Sequence, residues 1–126
     1  MPHLTVHLPE NRLTGSEAKL VTALTEAIVG VYGDWARDLV SIRLAGVPAG
    51  RFAQGGTAVD TNVSVTLGVR AGVFDRPDAA QITARLGAAL TDAITRVLGE
   101  ELRTGTMVEL VASPQERTFV GGALAV

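Results

Sequence analysis

A chain of 126 residues that is 47% hydrophobic but only 4% aromatic is about one ordinary domain, with a core built from Val, Leu, Ile and Ala. A net charge of −2 with mixed signs leaves no basic stripe for nucleic acid, and no apolar run reaches the roughly 18 residues that span a bilayer. The absence of cysteine excludes disulfide scaffolds, thiol nucleophiles and Cys-rich zinc sites, and with no signal-peptide pattern at the N-terminus the composition is that of a soluble cytoplasmic domain.

Residues Leu4 to Leu8 alternate, with Leu4, Val6 and Leu8 on one face and His3, Thr5 and His7 on the other, which predicts a strand with one buried face. Thr14 and Glu17 are spaced like a capping box ahead of a helical stripe of Leu20, Leu24, Ile28 and Val31, which Gly33 ends. Leu39 to Leu44 predicts a second strand, and Gly50 to Gly56 a turn or short hairpin. The pattern then restarts. Val63 to Val69 alternates as a strand, and Asp75 to Asp78, with Pro77 in the first turn, opens a helix carrying Ile82, Leu86, Leu90, Ile94 and Val97. Gly99 or a neighbour ends that helix, and Met107 to Ala112 predicts a fourth strand. Gly55-Gly56 and Gly121-Gly122 close the two halves, each behind a phenylalanine, Phe52 and Phe119.

The chain therefore reads as a single domain, 1–126, of two fused β-α-β repeats spanning about 2–58 and 62–124. Each repeat predicts a parallel strand pair with a right-handed crossover. Together they predict an α/β (α+β) sandwich, in which duplicated β-α-β units form a four-stranded sheet with two helices on one face. The uncovered sheet face and the apolar tail, Gly121 to Val126, predict burial by a closed symmetric homo-oligomer.

Pro2 directly after Met1 is the residue on which the chemistry turns. A small second residue favours removal of the initiator methionine, which would leave a secondary amine at the start of a strand. Desolvation and nearby cations would lower the pKa of that amine towards neutrality, where a general base works best. Arg12, Arg43 and Arg70 supply candidate cations, able to hold a carboxylate or enolate oxygen through charge-assisted hydrogen bonds. Read singly, each of these arginines is also an ordinary surface residue, and Phe52 and Phe119 serve equally as packing residues. His3 and His7 sit about 13 Å apart along one strand, too far to share an ion. The serines lack a His/Asp arrangement for a triad, and the glycines do not form a phosphate-cradling loop.

The succession Pro2, Val6, Asn11-Arg12, Ser41-Ile42-Arg43 and Phe52-Ala53-Gln54-Gly55-Gly56 resembles the 4-oxalocrotonate tautomerase pattern of the tautomerase superfamily. The resemblance implies that Pro2 moves a proton between carbon and oxygen of an enol, that Arg12 and Arg43 bind and polarise the acid, and that Phe52 supplies an apolar wall. Over nearly the whole chain, Asn11-Arg12-Leu13-Thr14, Pro48-Ala49-Gly50 and Arg70 resemble fused members such as cis-3-chloroacrylic acid dehalogenase, which implies that Arg70 holds the substrate carboxylate. Val73 stands where that family has a second arginine, for which Arg76 would substitute; Ile28, Val120 and Glu109 stand where it has a histidine, a glutamate and a tyrosine. These replacements argue against hydrolytic dehalogenation. Asp38 stands where malonate semialdehyde decarboxylases keep a functional aspartate.

The resemblance implies a tautomerase-like fold, a small carboxylate substrate, no metal or organic cofactor, and no nucleic-acid or membrane partner. Because the second repeat starts at Asn62-Val63 without a proline, it also implies a homotrimer with three proline sites. Keto–enol tautomerisation is the leading reading. A hydratase, dehalogenase or decarboxylase using protonated Pro2, or a binding protein without catalysis, are the alternatives.

Overall fold

A computed structural model describes residues 2–125; Met1 and Val126, on which the methionine-removal expectation and the end of the apolar tail fall, lie outside the described residues. Strand β1 (His3–Pro9) buries Leu4, Val6 and Leu8 completely, as its period of two demands. A short helix α1 (Glu10–Leu13) follows, and α2 (Glu17–Tyr32) then buries Leu20, Leu24 and Ile28. A 3-10 helix (Asp34–Leu39) leads into β2 (Ser41–Val47), and β3 (Ala53–Gln54) and β4 (Thr57–Ala58) form a hairpin. The second half repeats the scheme with β5 (Val63–Arg70), a 3-10 turn (Ala71–Asp75), α3 (Ala79–Leu98), a further 3-10 helix (Glu100–Gly105) and β6 (Thr106–Ser113). A last hairpin pairs β7 (Phe119–Val120) with β8 (Ala123–Leu124). In both hairpins the glycine pair is the two-residue turn, and positive φ at both positions is what glycine permits there.

Four strands make one sheet in the order β2-β1-β5-β6. Within each repeat the strands are parallel, while the two repeats meet through an antiparallel β1–β5 pair at the centre. The inward side chains of β1 and β5 and the stripes of α2 and α3 form one aliphatic cluster, with both helices on the same sheet face. The sandwich expected from the patterning is therefore the fold observed.

Three local features differ from the sequence reading. The Thr14–Glu17 pair does not make a capping box: Glu17 accepts from the amide of Gly15 at 2.8 Å, while the Thr14 hydroxyl donates back to the carbonyl of Glu10 at 3.1 Å, closing the α1 turn. Pro77 lies ahead of α3 rather than inside it, because Ala71–Asp75 forms its own 3-10 turn and Asp78 is the residue preceding the helix. Residues 39 and 40 precede β2, since the 3-10 helix after Gly33 runs to Leu39.

Repeat-equivalent positions can be followed through Gly33 and Gly99, which end the two long helices, and Gly55 and Gly121, which open the two hairpin turns. The same spacing makes Arg43 on β2 equivalent to Glu109 on β6. Their parallel partners, Thr5 and Thr66, pair with each other across the central ladder. The local twofold axis relating the repeats thus passes between Thr5 and Thr66. Arg43, Thr5, Thr66 and Glu109 form one row across the open sheet face.

Candidate active site

Pro2 sits just before β1 and is buried, with its carbonyl accepting a hydrogen bond of 3.1 Å from the amide of Ser41 at the start of β2. It forms part of the wall of a cavity of about 200 Å³, together with Tyr32, Trp35, Leu39, Val69, Arg70 and Val73. Three segments bring these residues together. Gly33, at φ 112°, ends α2 and turns the chain into the 3-10 helix, which sets Tyr32, Trp35 and Leu39 on one side. The antiparallel central pair brings the end of β5 beside the start of β1, which sets Val69, Arg70 and Val73 on the other.

The walls are mainly apolar, and two polar groups interrupt them. Arg70 is half-buried, and no carboxylate pairs with it among the described residues. The Tyr32 hydroxyl is buried with no hydrogen-bond partner among the described residues. Burial pushes the Tyr32 phenol above its ordinary pKa of 10, and the nearby Arg76 charge opposes that rise. At neutral pH the phenol is therefore protonated and available as a donor. Trp35 donates its indole N–H to the carbonyl of Tyr32 at 2.8 Å, and the two rings lie 5.9 Å apart at 57°. This locks the aromatic corner of the cavity.

The residues proposed from sequence divide into those at this cavity and those away from it. Pro2 and Arg70 come together. Arg12 does not join them: it follows the far end of β1, roughly 23 Å along a seven-residue strand, where it pairs with Glu101 and donates to the carbonyl of Leu98 at 3.3 Å. The physical reason is the antiparallel centre of the sheet. The repeat-equivalent of Arg12 is Val73, and Val73 is what the second repeat delivers to Pro2. Arg43 is exposed on the open sheet face, opposite Thr5. Phe52 lines a different groove, beside Pro9, Asn11 and Val47. Asp38 is exposed between the cavity residues Trp35 and Leu39 without lining the cavity itself. Arg76 is engaged by Asp78 through two bonds of 3.0 and 3.1 Å, which hold that carboxyl below its usual range.

Tyr32, Trp35, Leu39 and Val69 were not singled out from sequence. The only trace of them there is the placement of Tyr32 and Trp35, the sole tyrosine and tryptophan, on either side of the helix-ending Gly33. Among the described residues, no three His, Asp or Glu side chains gather as a metal site requires, and no helix is long and apolar enough to cross a membrane.

No family model and no curated protein matches the sequence. Solved structures do match. A fused 4-OT described as a wild-type asymmetric trimer is 28% identical, with 97% of this chain and 94% of that one covered at a TM-score of 0.81. A second fused 4-OT, described as a symmetric trimer, is 24% identical over 98% of this chain and 94% of that one, with a TM-score of 0.82. A structure of Pt0534 inactivated by 2-oxo-3-pentynoate is 19% identical, again over 98% and 94% of the two chains, with a TM-score of 0.82.

Proposed function

We propose that this chain, which has the fused 4-OT fold of the tautomerase superfamily, is a cofactor-independent tautomerase whose base is the secondary amine of Pro2 after removal of Met1. The observation that carries this reading is the cavity itself. Among the described residues, a buried proline shares it with a cation that no carboxylate pairs, Arg70, and a buried donor without a hydrogen-bond partner, Tyr32.

Each group then has a task. Burial and the Arg70 charge both disfavour protonation of the amine, lowering its pKa towards neutrality. The neutral amine takes the hydroxyl proton of an enol acid and returns it to C3: the O–H bond breaks, C–O becomes C=O, C=C becomes C–C and a C–H bond forms at C3. Arg70 holds the substrate carboxylate. The Tyr32 phenol donates to the oxygen on which charge develops, beside the apolar wall that Val69 and Val73 contribute. The apolar walls and the single arginine lining them favour a 2-oxo or enol monocarboxylate with an apolar tail over a dicarboxylate. Within one chain, Arg12, Arg43 and Phe52 have no part in this scheme, and Arg76 acts only through its charge near Tyr32.

Three such chains, closing as a homotrimer like the fused 4-OT neighbours, would carry three proline sites. The test is ketonisation of enol-phenylpyruvate by protein whose intact mass shows Met1 removed, beside Pro2→Ala. A proline-dependent rate supports the reading. A retained Met1, or equal rates in both proteins, rejects it. Time-dependent inactivation by 2-oxo-3-pentynoate, with the added mass located on Pro2, would be a second, independent support.

A further inference from the structure

The row Arg43–Thr5–Thr66–Glu109 lies across the open sheet face with its centre on the local twofold axis, so its two ends occupy equivalent places in the two repeats. Those ends carry opposite charge. Both residues are exposed, both sit on outer strands of the sheet, and neither has an ion-pair partner among the described residues. Strands β2 and β6 are also the only edges of this sheet, each with one side of its backbone unpaired.

We infer that the occupant of these edges is a second copy of this chain in one fixed sense, with β2 of one copy against β6 of the next, and that Arg43 and Glu109 select that sense. The inference rests on the trimeric reading above. A chain with an internal twofold axis fits a three-membered ring almost equally well either way up, because turning it over exchanges β2 for β6. With all three copies in the same sense, every seam joins β2 to β6 and sets Arg43 against Glu109. With one copy turned over, only one seam keeps that pairing. The second sets Arg43 against Arg43, and the third Glu109 against Glu109. Like charges brought together at an interface penalise the wrong arrangement, which is how a nearly symmetric surface acquires direction. The symmetric trimer is therefore the form this sequence adopts.

Trp35 is the only tryptophan, so the indole N–H signal counts chain environments. The experiment measures mass by light scattering and indole signals by ¹⁵N NMR for the wild type, for Glu109→Arg, and for Arg43→Glu combined with Glu109→Arg, all at low salt. The wild type is expected to be a trimer with one indole signal. Glu109→Arg makes every seam like-charged in either sense, and is expected to weaken the trimer about tenfold or more, or to give several indole signals. The double exchange restores three opposite-charge seams, and with them the trimer and the single signal. A wild-type trimer with several indole signals overturns the inference, as does a Glu109→Arg trimer that keeps its affinity and its single signal, or a double exchange that restores nothing. A wild type that is not a trimer shows by its mass alone that the trimeric reading has failed, and this inference fails with it.

Discussion

The amide of Ser41 donates to the carbonyl of Pro2 at 3.1 Å, so the first residue of β2 fixes the backbone of the residue ahead of β1. Pro2 is at the same time one of the residues lining the cavity. Because the bond uses only the carbonyl, Pro2→Ala keeps the anchor and changes the amine. The expected result is an unchanged far-ultraviolet spectrum and a kcat lower by at least about a hundredfold, the usual range for loss of a general base. A smaller loss would mean that the proline is not the base.

Tyr32→Phe should separate activity from stability. The phenol is buried without a partner among the described residues, so removing it is expected to leave Tm unchanged or slightly higher, while kcat falls about tenfold for loss of one hydrogen bond to developing charge. As the only tyrosine, it can also be followed by absorbance at alkaline pH. Its pKa is raised on folding, so between the unfolded and folded values the unfolded state holds fewer protons, and stability falls as pH rises above about 10. The titration midpoint should lie above 10 in the native protein and drop on adding denaturant.

Arg70→Ala should raise KM for acid substrates more than it lowers kcat. A charge-assisted bond to a carboxylate is worth roughly 1.5–3 kcal/mol, or about ten- to a hundredfold in kcat/KM. The corresponding amide or ester should be little affected, and an equal loss for both would assign Arg70 another role.

Gly68 pairs with His3 across the central ladder, and a Cβ added to Gly68 would lie 2.0 Å from Cε1 of the imidazole. Gly68→Ala is expected to cost about 1–3 kcal/mol by forcing that ring aside. Adding His3→Ala should recover most of the loss in a chemical-denaturation double-mutant cycle. Additive losses would show that the ring is not the obstacle.

Arg12 holds the Glu101 carboxyl below its ordinary pKa, so the pair contributes fully above the unfolded value and loses its contribution as pH falls through the folded one. Glu101→Gln should lower Tm at about pH 6, and the difference from the wild type should shrink steadily as pH falls below the ordinary carboxylate range. A Tm difference that persists into acid would point to packing rather than charge.

The sheet and both long helices were legible because period two in Leu4–Leu8 and Val63–Val69, and the stripes through Leu20 and Leu86, report burial directly. The 3-10 helix that presents Trp35 and Leu39 was not legible, since six residues, DWARDL, carry too few turns to show a period. For the site, Pro2 and Arg70 stood out as chemistry. Which end of the sheet Arg12 occupies was not legible, because neither repeat's own pattern says which way it runs against the other. That direction belongs to the β1–β5 ladder alone, and it replaces Arg12 with Val73 beside Pro2.

The same ladder sets the time course of folding. Thr5 and Thr66 are 61 residues apart, and the parallel pairs on either side close segments of about 40 residues, so few of the sheet's contacts are local. During synthesis from the N-terminus, β1 can meet β2 once residue 47 has emerged, yet its other edge stays open until β5 follows. Over that interval the nascent chain exposes an unpaired apolar strand, and the half-made sheet is at its most prone to pairing with the wrong neighbour.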